Sequence, residues 1–236
     1  MTDPSDAPHP SSPGPKPGLA LGGLTLTGPA ALIVGLLLIA LFVALVAWSR
    51  PSVGMWLAGG VWLGFVVFWS VTAGPRDPRR SEESRRSRAL HQNLLNLGLL
   101  LLFVSIPGLR WRYGPPNPWH VPAGLGILAA ATLLHVWARR HLGRNWSSQV
   151  MIKDDHQLVR TGPYHLVRHP IYTAILGLAI GTAMVSGRVV SLLGCAVIAF
   201  AYVRKLRIEE RMLGETFGAA WEGYRKRSWA LVPGVF

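Results

Sequence analysis

The stretch IYTAILGLAIGTAMVSG (171–187), Arg188 and VVSLLGCAVIAFAYV (189–203) is two uncharged apolar runs separated by a single cation. At about 1.5 Å per residue in an α-helix, the second run covers only about 23 Å, short of a hydrocarbon core of roughly 30 Å. The sequence that follows, RKLRIEER (204–211), can supply the remainder, because the helix can continue into it. Arg188 and Arg204 can snorkel from the ends of the run, keeping their charges in water and their stems along apolar surface. Ser186-Gly187-Arg188 has the composition of a tight turn. The two runs read as a helical hairpin in a membrane, with a charged helical continuation.

The pattern repeats outward from this hairpin. Apolar blocks at 29–48, 53–73, 94–109 and about 119–137 precede it, the third being shorter and ending near Pro107. A spanning helix needs roughly 20 such residues. Half of the 236 residues are hydrophobic and only 15% are charged, whereas soluble domains carry about a quarter charged residues. The formal net charge is nevertheless +13, and the cations sit between the blocks. Six lie in 76–88, six in 139–168 and seven in 204–227, which with Lys16 makes twenty on one side. Only Arg50, Arg110, Arg112 and Arg188 fall on the other. The positive-inside rule then predicts six spans with both termini cytoplasmic, in a multi-pass protein of the inner or plasma membrane. The basic balance is explained by topology and anionic lipid, and nucleic acid is not an expected partner. Cys195, the one cysteine, excludes an internal disulfide and a Cys-rich metal or redox centre. Within an apolar helix it reads as a small core residue. The histidines show no metal-ligand spacing, so no metal is expected.

The expected fold class is therefore all-α, a polytopic membrane bundle of about six helices with a C-terminal interfacial helix. Residues 1–28 are rich in Pro, Ser and Gly, lack apolar periodicity and are expected to be a disordered cytoplasmic tail, not a signal peptide. Residues 29–138 hold four spans, and 139–236 form a core of polar connection, hairpin and C-terminal segment. In that last segment Leu206, Met212, Leu213, Phe217, Trp221 and Tyr224 recur near helical spacing among charges. They predict one amphipathic helix, or two broken near Gly218.

Two polar constellations lie on the predicted cytoplasmic side. In TGPYHLVRHPIY (161–172), Gly162-Pro163 forces a turn and Pro170 can open the fifth helix at its first turn, where a missing N–H costs nothing. His169 then stands where that helix begins, with Tyr172 one turn on. Free N–H groups there suit an anionic or hydrogen-bonding ligand. The plain alternative is that Tyr164, His169 and Tyr172 are interfacial anchors. In the second constellation, Lys205 and Glu209 share a helix face, and Arg207 and Glu210 are three apart. These residues either form ion pairs on a solvated helix or turn Glu209 and Glu210 toward the loop as ligands for hydroxyl or ammonium groups. Carboxylates at a membrane boundary are costly unless paired or functional.

The run Arg168-His169-Pro170-Ile171-Tyr172, preceded by Gly162-Pro163-Tyr164 and followed by Glu209-Glu210, Phe217-Gly218, Tyr224 and Pro233, resembles the isoprenylcysteine carboxyl methyltransferase family. A similar C-terminal pattern occurs in membrane phospholipid N-methyltransferases. The resemblance covers roughly 139–236 and implies an integral membrane enzyme that uses S-adenosyl-L-methionine. It implies a cofactor site of His156, Gln157, Leu158, Val159, Gly162, Tyr164, His169, Pro170, Ile171 and Tyr172, completed by Glu209 and Glu210. His169 and Tyr172 become catalytic candidates, and Lys205 and Arg207 become candidates for a cation beside the substrate. The chain departs from the pattern at Ala174, where Gly is usual, and at Ser228-Trp229, which replaces a Val-Pro-Arg run.

Methyl transfer from a sulfonium requires alignment and exclusion of water, with neither metal nor covalent intermediate. A carboxylate nucleophile needs no base, and Lys205 or Arg207 could position it. An amine nucleophile needs a proton acceptor among His169, Tyr172 and the glutamates. The expected partners are the bilayer and a lipophilic acceptor, either a prenylcysteine-like carboxylate or a lipid amine; oligomeric state is open. The alternatives are an NADPH-dependent sterol or steroid reductase, which shares a His-Pro-x-Tyr arrangement, and a non-catalytic membrane subunit.

Overall fold

The computed structural model describes residues 18–21, 24–27, 37, 40–44, 46–47, 51–72, 79–105, 111–114, 117–143, 151–153 and 158–235. The chain divides into two units, Met1–Trp48 and Ser49–Phe236. In the first, β1 (Gly18–Leu21) and β2 (Leu24–Thr27) pair antiparallel, with Gly18 opposite Thr27 and Leu21 opposite Leu24. They lie in the stretch expected to lack order. The Leu-Thr alternation of β2 is the local reason, since a β-branched residue at every second position suits a pleated strand. Residues 37, 40–44, 46 and 47, from the first apolar block, are helical.

Among its described residues the second unit has six α-helices: α1 (Val53–Val71), α2 (Arg85–Phe103), α3 (His120–Leu142), α4 (Pro170–Ser186), α5 (Val189–Phe217) and α6 (Ala219–Arg225). A 3-10 turn, Gly162–His165, precedes α4. A short ribbon joins β3 (Arg79–Glu82) to β4 (Met151–Lys153). The all-helical expectation holds for the body of this unit, and the hairpin turns at Gly187 as read.

Three helices run beyond their apolar blocks. Helix α2 starts at Arg85, because Ser84 accepts the Ser87 N–H at 3.3 Å and caps it. Helix α3 continues to Leu142, its last turn carrying Arg139, Arg140 and His141, which complement the C-terminal dipole. Helix α5 carries through the charged continuation to Phe217 and breaks at Gly218, after which α6 begins. Helices α3 and α5 are long and apolar enough to cross a membrane, and shorter apolar helices occupy Val53–Trp69 and Pro170–Ser186. Six spans is thus a finer statement than the described helices carry by length and composition.

Glycines let the helices approach closely. A Cβ at Gly124 of α3 would fall 2.7 Å from the Gly181 carbonyl oxygen of α4, and one at Gly194 of α5 would fall 2.7 Å from that of Gly98 on α2. Small residues at such contacts bring backbones together, the usual basis of helix association in lipid. The hairpin is tied down by polar bonds. Ser191 donates to the Leu102 carbonyl at 3.1 Å, and Arg188 donates to Ser186 Oγ at 2.7 Å and to the Leu102 and Phe103 carbonyls at 3.3 Å. Arg188 therefore caps the C-terminus of α2 in addition to standing at the N-cap of α5. On the other side of α4, Trp62 donates to Thr182 at 3.0 Å, and Trp69 donates to His135 of α3 at 2.8 Å.

Candidate functional site

Three segments meet where α4 begins. The first is the turn and lead-in 158–169. Pro170 occupies the first turn of α4 and His169 is its N-cap, with non-helical φ −125° and ψ 58°. The second is the polar continuation of α5, where Tyr202, Lys205 and Glu209 recur at spacings of three and four and share one face. The third is the C-terminal tail. Arg168 and His169 donate their backbone N–H groups to the carbonyls of Trp229 and Ala230 at 2.8 and 3.1 Å, and Trp229 donates to Leu166 at 3.1 Å. Thr173 Oγ1 adds a bond to the Leu231 carbonyl at 2.7 Å. The tail thus runs beside the lead-in, joined by an isolated parallel bridge between Val167 and Trp229, and fixes the approach to α4.

Side chains from α4 and α5 converge on two glutamates. The Tyr172 hydroxyl donates to Glu209 Oε2 at 2.5 Å. The His169 ring lies parallel on the Tyr172 ring, centroids 5.2 Å apart, with Nδ1 3.7 Å from Glu209 Oε2 and Nε2 3.3 Å from Glu210 Oε1. Arg168 Nε donates to Glu210 Oε1 at 2.8 Å, and its Nη1 donates to the carbonyls of Arg225 and Ser228. Lys205 Nζ stands 5.7 Å from the Tyr172 ring centroid, and Tyr172 packs on Tyr202 at 5.0 Å. The two carboxylates differ in surroundings: the Glu210 side chain is 17% exposed and that of Glu209 is 32% exposed. Among the described residues, Glu209 Oε1 accepts no hydrogen bond. Glu210 is thus held in a clamp, and Glu209 presents a free oxygen beside a buried aromatic wall.

Electrostatics follow that division. Burial alone would raise Glu210, but the hydrogen bonds from His169 and Arg168 outweigh it and hold the carboxyl below its ordinary value. Burial pushes the Tyr164 phenol well up, with Glu209 and Tyr224 adding to the effect, and pushes Tyr224 up to about 12. Both phenols therefore remain protonated and can donate. Tyr224 gives its hydroxyl hydrogen to the Tyr164 carbonyl at 2.5 Å, locking α6 to the turn.

Of the residues singled out in the sequence, His169, Tyr172, Lys205, Glu209 and Glu210 are brought together. Pro170 and Ile171 are buried beneath them at the start of α4, and Tyr164 is buried in the turn. Gly162, at φ 58°, packs against the His141 ring. Leu158 packs on the cluster of Met212, Leu213, Trp221 and Tyr224, while Val159 is half-buried. Arg207 is exposed on the α5 continuation, and Glu210 takes Arg168 and His169 as its partners. His156 and Gln157 lie outside the described residues. Sequence reasoning missed Arg168 as the clamp on Glu210, although it stands within the quoted motif. It also missed Tyr202, whose spacing from Lys205 and Glu209 was the available signal.

Residues 124–215 match the sequence model of the isoprenylcysteine carboxyl methyltransferase (ICMT) family. A protein-S-isoprenylcysteine O-methyltransferase of Dictyostelium discoideum is 25% identical over 152 residues, 61% of this chain and 63% of that protein. One of Schizosaccharomyces pombe is 33% identical over 114 residues, 47% of this chain and 48% of that protein. Protein-S-isoprenylcysteine O-methyltransferase B of Arabidopsis thaliana is 27% identical over 135 residues, 56% of this chain and 66% of that protein. The chain thus spans between about half and two thirds of the length of these relatives. The resemblance drawn from the motif residues is borne out, and the matched span holds the whole Arg168–Glu210 network.

Proposed function

We propose that this chain, whose residues 124–215 carry the isoprenylcysteine carboxyl methyltransferase family pattern, is an integral membrane methyltransferase acting on a prenylcysteine carboxylate. The single observation that supports this most is the Arg168–Glu210–His169–Tyr172–Glu209 network, which lies within the matched span and leaves one oxygen of Glu209 open. The relatives' names supply the acceptor chemistry. They lend nothing to a lipid amine acceptor, to an NADPH-dependent reductase or to a non-catalytic subunit. In this reading the protein is multi-pass with both termini cytoplasmic, as the cation asymmetry predicts.

The donor would be S-adenosyl-L-methionine, which supplies an activated methyl on a sulfonium. The site's residues fit it: an open carboxylate oxygen at Glu209 can accept from an ammonium or ribose hydroxyls, and buried aromatic faces suit an adenine or a sulfonium. The residues that would hold it are Glu209, Tyr164, His169 and Tyr172, and the family resemblance adds Leu158 and Val159 from the described lead-in. Glu210 and Arg168 fix the His169 ring and do not face the ligand. Tyr172 orients the Glu209 carboxylate through its hydroxyl. Lys205, whose ammonium stands over the Tyr172 ring, can pair with the acceptor carboxylate and aim it, so that no general base is needed. The C-terminal tail, bridged to the lead-in at Trp229, and α6, locked to the turn by Tyr224, would help to exclude water from the transfer.

The test is methyl transfer by detergent-purified protein supplied with tritiated donor. N-acetyl-S-farnesylcysteine is the acceptor in one arm and phosphatidylethanolamine in the other. Base-labile methyl ester in the first arm is the expected product. Base-stable label in the second arm alone would replace the carboxylate reading with the amine.

A further inference from the structure

The end of the bundle opposite the candidate site carries arginine without acid. His169 stands before α4 and Gly187 follows its last residue, so the two ends lie about 25 Å apart at 1.5 Å per residue. The chain has 11 Asp and Glu, and none falls within 7–76, 84–153 or 156–208. Those ranges hold Arg50, Arg110, Arg112 and Arg188, the four cations predicted for the side away from the cation-rich connections. Cations on that side run against the orientation rule and need a reason. Arg188 has one, since it caps α2 through the Leu102 and Phe103 carbonyls. Arg112 has no such task. Among the described residues it pairs with no carboxylate, and its guanidinium gives one side-chain hydrogen bond, from Nη2 to His120 Nε2 at 3.3 Å. The His120 Nδ1 faces the Asn117 carbonyl oxygen, which makes Nδ1 the donor and leaves Nε2 to accept.

The hairpin turn holds this guanidinium in place. Val189 donates its N–H to the Trp111 carbonyl at 2.8 Å, Tyr113 donates to that of Gly187 at 3.3 Å, and Arg112 stands opposite Arg188 in an isolated antiparallel bridge. A Cβ on Gly187 would overlap the Arg112 guanidinium, which therefore lies directly on the turn. Arg112, Tyr113, Gly114, Asn117, His120 and Gly187 line a cavity of about 200 Å³, with no acidic group among them. Asn117 Oδ1 accepts the Trp119 N–H at 2.9 Å, so the Asn117 amide N–H groups remain to donate. Trp111 and Trp119, each next in sequence to a lining residue, are 71% and 74% exposed. Indoles take such positions at the headgroup level of a bilayer.

We infer that this cavity binds the phosphate of an anionic phospholipid in the leaflet opposite the candidate active site. A guanidinium with unused N–H groups beside an amide donor suits phosphate oxygens, and a face without carboxylates leaves the counter-charge to the lipid. The exposed indoles put the cavity at headgroup depth, which favours a lipid over a free phosphate. The site stands independently of the methyltransferase reading.

The full chain in detergent is titrated with phosphatidylglycerol, phosphatidylcholine or inorganic phosphate, with bound lipid counted by native mass spectrometry beside the thermal midpoint. Saturable binding of phosphatidylglycerol is expected, about tenfold tighter than that of phosphatidylcholine. Its apparent dissociation constant is expected to rise about tenfold in Arg112→Gln, with part of the loss recovered in Arg112→Lys. Arg50→Gln removes an equal charge from the same predicted side and should change it by less than about twofold. Equal losses in Arg112→Gln and Arg50→Gln would reduce the attraction to diffuse charge and overturn the site. Equal affinity for the two lipids or no saturable binding would also overturn it, and protection by inorganic phosphate equal to that by phosphatidylglycerol would make the ligand a free anion. Because Arg112→Gln also touches the hairpin turn, wild-type protein is labelled in parallel with phosphatidylglycerol carrying a photoactivatable headgroup. Label within 111–120 is expected, and label confined to 76–88, 139–168 and 204–227 would overturn the inference.

Discussion

Glu209 and Glu210 are adjacent in sequence and unlike in circumstance. Glu210 receives Arg168 and His169, and its folded pKa is held below the ordinary value of 4.5. A depressed carboxyl stabilises the fold fully above its unfolded pKa and loses that contribution as pH falls through the folded one. Glu210→Gln is therefore expected to cost about 2 kcal/mol near neutral pH, the scale of a charged hydrogen bond to a partner left buried. Thermal unfolding across pH checks this: the gap to wild type should hold above pH 4.5 and narrow below it. A gap that is constant through the acid range would remove the clamp from the account. The motif made these residues legible as a group, because paired carboxylates are costly at a membrane boundary without a task. Their pairing was not legible. The i,i+3 spacing offered Arg207 to Glu210, yet Arg168, 42 residues away, takes it, and only the approach of α4 to α5 could reveal that.

At the scale of elements, apolar length located the helices and local polar signals set their ends. The hydrophobic blocks placed α1 and α4 closely and the apolar parts of α3 and α5. They missed the nine residues at the start of α2, seven of them polar, since Ser84 as a cap is a weaker signal than the arginines that follow it. The tail's bridge to the lead-in at Trp229 carried no sequence signal, because its bonds are backbone bonds to a segment some sixty residues earlier. Gly162 is the position where the turn depends on one residue. At φ 58° it sits in the left-handed region, and a Cβ there would overlap the His141 ring at the end of α3. Gly162→Ala is expected to lower stability by about 2 kcal/mol through backbone strain and overpacking together. It should also loosen the lead-in to His169. A thermal midpoint equal to wild type would show that α3 and the turn are not coupled.

For the whole molecule, charge and apolarity are distributed as in a membrane protein. Cations gather in three connections and are nearly absent from the others, and two described helices have the length and apolarity to span. The same connections hold the residues of the proposed site: the loop before α4 brings Arg168 and His169, and the continuation of α5 brings Lys205 and the glutamates. The most direct test is calorimetric titration of S-adenosylhomocysteine into the detergent-purified protein and its Glu209→Ala variant. The account predicts saturable binding by wild type and its loss in the variant, with the thermal midpoint of the uncomplexed variant within a few degrees of wild type. A folded wild type that binds no S-adenosylhomocysteine, or a variant that binds it unchanged, would contradict the account.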